Sequence, residues 1–112
     1  IGVIMPHYNL AGLAKKVGIE EDYIAAGKYK KPISMFKSID DENRKYMTEH
    51  LLKPTYENFL TAVAMNRGLS REQIIPFADG KIYIANDMSI KGILIDKIST
   101  LHRVKKMIRR KF

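Results

Sequence analysis

Three lysines, Lys28, Lys30 and Lys31, stand between Gly27 and Pro32, directly after the apolar run Asp22-Tyr23-Ile24-Ala25-Ala26. A lysine acts as a general base only when desolvation or neighbouring cations bring its pKa down from ~10.4 towards neutrality. Closely spaced lysines offer the second of these. A glycine at one end of the segment and a proline inside it predict irregular backbone. A loop at the C-terminal end of a parallel strand is also where open α/β sheets hold their sites. A solvated basic loop is the competing reading, and the residue types alone leave both open.

Other chemistry is more restricted. His7, His50 and His102 are far apart and none falls in a His-x-x-x-His spacing, so no metal site is expected. Cysteine is absent, which excludes disulfides, thiolate metal sites and a thiol nucleophile. Neither G-x-G-x-x-G nor G-x-x-x-x-G-K-[ST] occurs, which excludes nucleotide binding through those loops, and no cofactor is expected. Asp40, Asp41 and Glu42 resemble an acid/base cluster, but at the start of a helical pattern they read better as a cap.

The elements that must position these residues follow from periodicity. Residues 1–5, 22–26, 81–85 and 93–96 are short apolar runs of strand character, the first stopped by Pro6. Helical spacing covers roughly 9–17, with Asn9 as N-cap and Gly18 as stop, and about 40–66, where Pro54 should kink the helix around residue 53. Short helices are expected from Ser70 and over about 86–91, and a last one over 100–112. Strands and helices thus alternate. The expected class is α/β, with short, mostly parallel strands.

The chain has 112 residues, one domain or part of one, and it opens on a strand-like run, as a piece of a larger domain would. Neither a signal peptide nor an anchor is expected within these residues, since no apolar run approaches the ~18–20 residues needed to span a bilayer. The formal charge is +8, but Arg103, Lys105, Lys106, Arg109, Arg110 and Lys111 supply six of these charges within the last ten residues. The rest of the chain has an ordinary balance. Leu101, Val104, Ile108 and Phe112 form one stripe of this 100–112 helix, and two uses are open. The stripe packs on the domain and leaves a solvated basic face, or the helix lies on an anionic membrane. Nucleic acid is disfavoured, because aromatic residues are not interleaved with the basic ones.

Several segments together resemble the catalytic domain of the signal peptide peptidase A family. Asp22 to Lys30 resembles that family's strand ending in Gly-x-x-Lys, and Met35-Phe36 stands where the family has Pro-Phe. Ile39 to Arg44 is similar to its helix start, Tyr56-Glu57-Asn58-Phe59 to its Tyr-x-x-Phe, and Asn66-Arg67-Gly68 to its arginine-glycine turn. Phe77 to Tyr83 resembles its Ala-Asp-Gly-Arg-Val-aromatic stretch, Lys91 to Asp96 its closing Leu-Gly-Leu-Val-Asp, and Ile1 to Ile4 the strand after its Thr-Gly-Ser-Ile-Gly turn. Lys31-Pro32 and Ala85-Asn86-Asp87 depart from the family pattern.

The resemblance implies a ClpP/crotonase-like fold, with residues 1–112 as the C-terminal part of one catalytic domain. It implies a serine-lysine endopeptidase that degrades cleaved signal peptides, in which Lys30 is the general base. Lys28 and Lys31 would help to depress its pKa. The family's nucleophilic serine lies upstream of these residues, and Ser34, Ser38, Ser70, Ser89 and Ser99 do not match its motif. The piece alone is therefore expected to be inactive. Further implications are hydrophobic peptide substrates, a homo-oligomer, and a bacterial cell-membrane location with membrane association through the upstream region and the catalytic domain on the periplasmic side. An inactive assembly or scaffold subunit, or a basic module on an anionic membrane, is the alternative.

Overall fold

Helices form where the periodicity predicts them, and their caps account for where they stop. The computed structural model describes residues 1–112, which divide into two units. The first is Val3–Asn58; the second is Phe59–Phe112 with Ile1–Gly2.

In Val3–Asn58, α1 spans Ala11–Val17. Asn9 takes up an orphan donor, its Oδ1 accepting the Ala11 N–H at 3.0 Å, although Leu10 holds the N-cap position itself. Gly18 closes the helix at φ 75°, a left-handed conformation that glycine adopts without steric cost. Helix α2, Asp41–Met47, starts from Asp40, whose Oδ1 accepts the Asn43 N–H at 2.7 Å. The cap reading therefore holds for Asp40. Acidic Asp41 and Glu42 in the first turn also complement the helix dipole.

The expected kink before Pro54 takes a specific form. Thr48–Leu52 widens into a π-turn in which the Lys53 N–H bonds back to the Thr48 carbonyl, and α3 follows over Lys53–Arg67. Proline lacks the N–H that would bond to the carbonyl of His50, and its ring crowds that carbonyl, so the helix opens there. The Thr55 hydroxyl satisfies the neighbouring Leu51 carbonyl at 2.6 Å.

In the second unit, Gly68 at φ 64° ends α3, and the Leu69 N–H returns to the Ala64 carbonyl at 2.9 Å. Ser70 and Gln73 form a reciprocal capping box for α4, Arg71–Ile74, which passes into a 3₁₀ turn over Ile75–Phe77. The short helix expected over about 86–91 is a single 3₁₀ turn, Met88–Ile90, capped by Asp87. Thr100 caps the last helix, α5, Leu101–Lys111. Leu60, Ala64, Ile74, Ala78 and Ile90 are the buried apolar side chains of this unit.

The strands are a correction. The expected α/β architecture with mostly parallel strands is not what these residues build: there is no sheet, and the sole bridge joins Lys91 to Ile95. A strand exists only through ladder hydrogen bonds to a neighbour, and a run of four or five apolar residues does not reveal whether a neighbour is at hand. Residues 93–96 form a tight turn instead, with the Gly92 N–H on the Ile95 carbonyl at 2.7 Å and the Leu94 N–H on the Ile90 carbonyl at 2.9 Å. Residues 81–85 leave Ile82 97% exposed. Residues 22–26 and 1–5 make no ladder either, the latter run contributing the Ile1 carbonyl to the Gly80 N–H.

Burial separates structural from spare apolar residues. Leu60→Ala or Ile74→Ala, at the two side chains with essentially no exposed surface, should lower the unfolding free energy in urea by about 2–5 kcal/mol. Ile82→Ala should change it by less than about 0.5 kcal/mol.

Candidate functional site

The lysine loop forms a turn, Gly27 at φ 95° and the Lys30 N–H on the Gly27 carbonyl at 3.3 Å. Positive φ suits glycine, which explains its place at the start of the loop. On one side of Lys30, the Lys28 ammonium donates to Glu42 Oε1 at 2.5 Å, and the Tyr29 hydroxyl donates to the same oxygen at 2.7 Å. The Tyr29 ring stacks on Tyr46, with centroids 4.6 Å apart, and Tyr46 on His50 at 5.0 Å. The N-terminal half of the loop is thus fastened to one side of α2 and the π-turn.

On the other side, Lys31 pairs with Glu21, and the Ser34 hydroxyl donates to the same carboxylate. Ser34 Oγ in turn accepts the Phe36 N–H at 3.1 Å. The Glu21 side chain is only 11% exposed, so its charge depends on these partners. The Lys31 ammonium also sits 4.8 Å from the centroid of the Tyr23 ring.

These contacts shift the groups that make them. The hydrogen bond from Lys28, then that from Tyr29, holds the Glu42 carboxyl below the usual glutamate range. The same carboxylate raises Lys28 and Tyr29. Lys31, followed by Ser34, lowers Glu21.

Lys30 differs from both neighbours. Its side chain is exposed and its ammonium makes no ion pair, hydrogen bond or ring contact. Lys28 and Lys31, read from the sequence as cations that would act on Lys30, are each compensated by a carboxylate. The sequence treated Glu42 only as part of a helix cap and did not single out Glu21, Tyr29 or Tyr46. Glu21 and Glu42 lie 10 and 14 residues from the lysines they neutralise, a separation that helical or strand spacing does not encode.

The other polar candidates have local duties. Ser38 accepts from Asn9, and Ser70 and Ser89 serve turns and caps. His7 donates to the Ser34 carbonyl at 2.6 Å, and His50 stacks as described. In the second unit, Arg67 forks onto Asp96, its two terminal nitrogens 2.5 and 3.0 Å from the carboxylate, and its Nε donates to the Ile93 carbonyl at 2.7 Å. Two sequence landmarks, the arginine-glycine turn and the closing Asp96, are therefore partners.

The pairing of Lys28 with Glu42 has a defined pH window. A free glutamate titrates near 4.5 and Glu42 lies below it, so the stability the pair lends is full above pH 4.5 and is lost as pH falls through the lowered value. A free lysine titrates near 10.5 and Lys28 lies above it, so the contribution is full below pH 10.5 and is lost as pH rises through the raised value. The ring-proton NMR signals of Tyr29 and Tyr46 should therefore show an inflection below pH 4.5. Glu42→Gln should abolish it, and an inflection unchanged in that variant would refute the clamp.

Comparison with known proteins bears on the whole chain. The model of peptidase family S49 matches residues 1–111. A putative protease of Methanocaldococcus jannaschii is 39% identical over 89% of this chain and 32% of its own length. A putative protease of Synechocystis is 33% identical over 89% of this chain and 35% of its own. A putative signal peptide peptidase of Enterococcus faecium is 30% identical over 88% of this chain and 28% of its own. The chain spans about a third of the length of these relatives. With the match running from the first apolar residues through the lysine loop to α5, the chain belongs to peptidase family S49.

Proposed function

We propose that residues 1–112 are the lysine-bearing portion of a serine-lysine peptidase and that Lys30 is its general base. The observation that carries this reading is the state of the three lysines. Lys28 and Lys31 are neutralised and held, while Lys30 between them keeps an uncommitted amine on a pinned loop. Membership of a peptidase family and the Gly-x-x-Lys position of Lys30 support it. The relative from Enterococcus named as a signal peptide peptidase supports cleaved signal peptides as substrates.

In this reaction a serine supplied from outside residues 1–112 gives its hydroxyl proton to the neutral Lys30 amine as its oxygen attacks the peptide carbonyl carbon. The tetrahedral intermediate collapses with cleavage of the C–N bond. Lys30 returns the proton to the leaving amine, leaving an acyl-enzyme. The neutral lysine then takes a proton from water as the water oxygen attacks the acyl carbon, and gives it to the serine oxygen as the ester C–O bond breaks and the acid product leaves. For this the amine must be uncharged near neutral pH. With the flanking cations compensated, desolvation by bound apolar peptide and by the rest of the protein is the lever that remains.

A hydrophobic peptide would lie extended across the site, held by backbone hydrogen bonds. The reading includes assembly into a homo-oligomer and work at the membrane of a cell. No helix of these residues is long and apolar enough to cross a membrane.

In the intact protein, Lys30→Ala should lower turnover of an apolar peptide substrate by about 10²-fold or more with the circular dichroism spectrum unchanged. Lys31→Gln should leave a measurable rate. Undiminished activity in Lys30→Ala would remove the assignment, and inactivity of the parent protein would favour a scaffold role.

A further inference from the structure

Within these residues the apolar stripe of α5 is left largely uncovered. Leu101 is 70% exposed, Ile108 is 50% exposed and Phe112 is fully exposed, with only Val104 partly covered. Packing of the stripe on the domain, one of the two uses open from the sequence, is thus not what the structure contains. From Lys97 to Phe112 there is no acidic residue; Arg103, Lys106 and Arg110 lie along the side of the helix away from Leu101 and Ile108, and Lys105 and Arg109 flank the apolar stripe. Eleven residues at ~1.5 Å each make a helix of about 16 Å, half the ~30 Å of a hydrocarbon core.

We infer that α5 is a surface anchor for an anionic lipid bilayer, lying in the plane of the headgroups with Leu101, Ile108 and Phe112 in the acyl boundary. Two features select this occupant. A nucleic acid or a wholly acidic peptide would engage the cations but leave three large apolar side chains in water, whereas a neutral apolar partner would leave the cations without counter-charge. A bilayer with anionic headgroups satisfies both faces of the helix at once. Anchoring through one short helix is reversible, and the electrostatic share weakens with salt. The inference does not depend on the role of Lys30.

The test is co-sedimentation of the 112-residue chain with phosphatidylcholine vesicles with and without 30 mol% phosphatidylglycerol. Binding to the anionic vesicles alone, reduced by salt, is expected. Each neutralised cation should weaken partitioning about fivefold, so that Lys106→Gln, Arg109→Gln and Arg110→Gln together weaken it on the order of a hundredfold. Ile108→Ser with Phe112→Ser should weaken it by at least about tenfold. Because the chain has no cysteine, a single Ile108→Cys or Lys106→Cys carries an environment-sensitive dye at one site only. A blue shift on anionic vesicles is expected at position 108 and not at position 106. Equal signals from the two positions, equal binding to neutral vesicles, or no binding to anionic vesicles would each overturn the inference. So would an apolar double variant that binds as its parent does, since cations alone, as for duplex DNA, would then account for the attraction. The dye-labelled chains keep the test valid even if the multiple variants fold poorly.

Discussion

Glu42 and Arg67, near the two ends of the helical residues 41–67, hold the irregular parts of their respective units through charge-assisted hydrogen bonds. Glu42 gathers Lys28 and Tyr29, and Arg67 gathers Asp96 and the Ile93 carbonyl. With no sheet ladder to impose a path on residues 22–40 or 78–98, such side-chain contacts, the caps and scattered backbone turn hydrogen bonds are what define it. Their positions suit the helix as well, an acid in the first turn and a base in the last. Exposed pairs of this kind add little stability each. Their importance here is geometric, since they decide where each loop is held.

The same pairing organises the candidate site. Three adjacent cations would repel one another and drive a loop towards solvent. Glu21 and Glu42 pair with two of the three cations, and the stacked rings of Tyr29, Tyr46 and His50 add a flat apolar support. Lys30 is then distinguished from its neighbours by environment rather than by residue type. The proposed role as general base needs that distinction, because a carboxylate partner holds a lysine in its charged form.

How much was legible differs between elements for a physical reason. Helices satisfy their hydrogen bonds within a few residues, so Asp40 as a cap, Ser70 as a start, Gly18 as a stop and Pro54 as a break could all be read locally. Strands require a partner that may stand anywhere in the chain. Runs such as Lys81–Ala85 and Ile93–Asp96 carry strand composition, yet one is left open and the other closes into a turn. Of the two uses the sequence left open for the α5 stripe, packing on these residues is not what forms, since amphipathicity says which face is apolar but not what stands opposite it.

What the sequence determined by itself is the set of local signals and the ordered landmarks: the capped helices, the lysine loop between Gly27 and Pro32, the concentration of charge in the last ten residues, and the resemblance that the family match bears out. Tertiary structure alone decided which of three adjacent lysines is left unpaired, which carboxylates neutralise the other two, and that Arg67 and Asp96 are partners. Periodicity reports neighbours one turn or one pleat away. Contacts between residues 10 to 29 positions apart depend on the path of the chain between them, and the loops that set that path have no repeat to read.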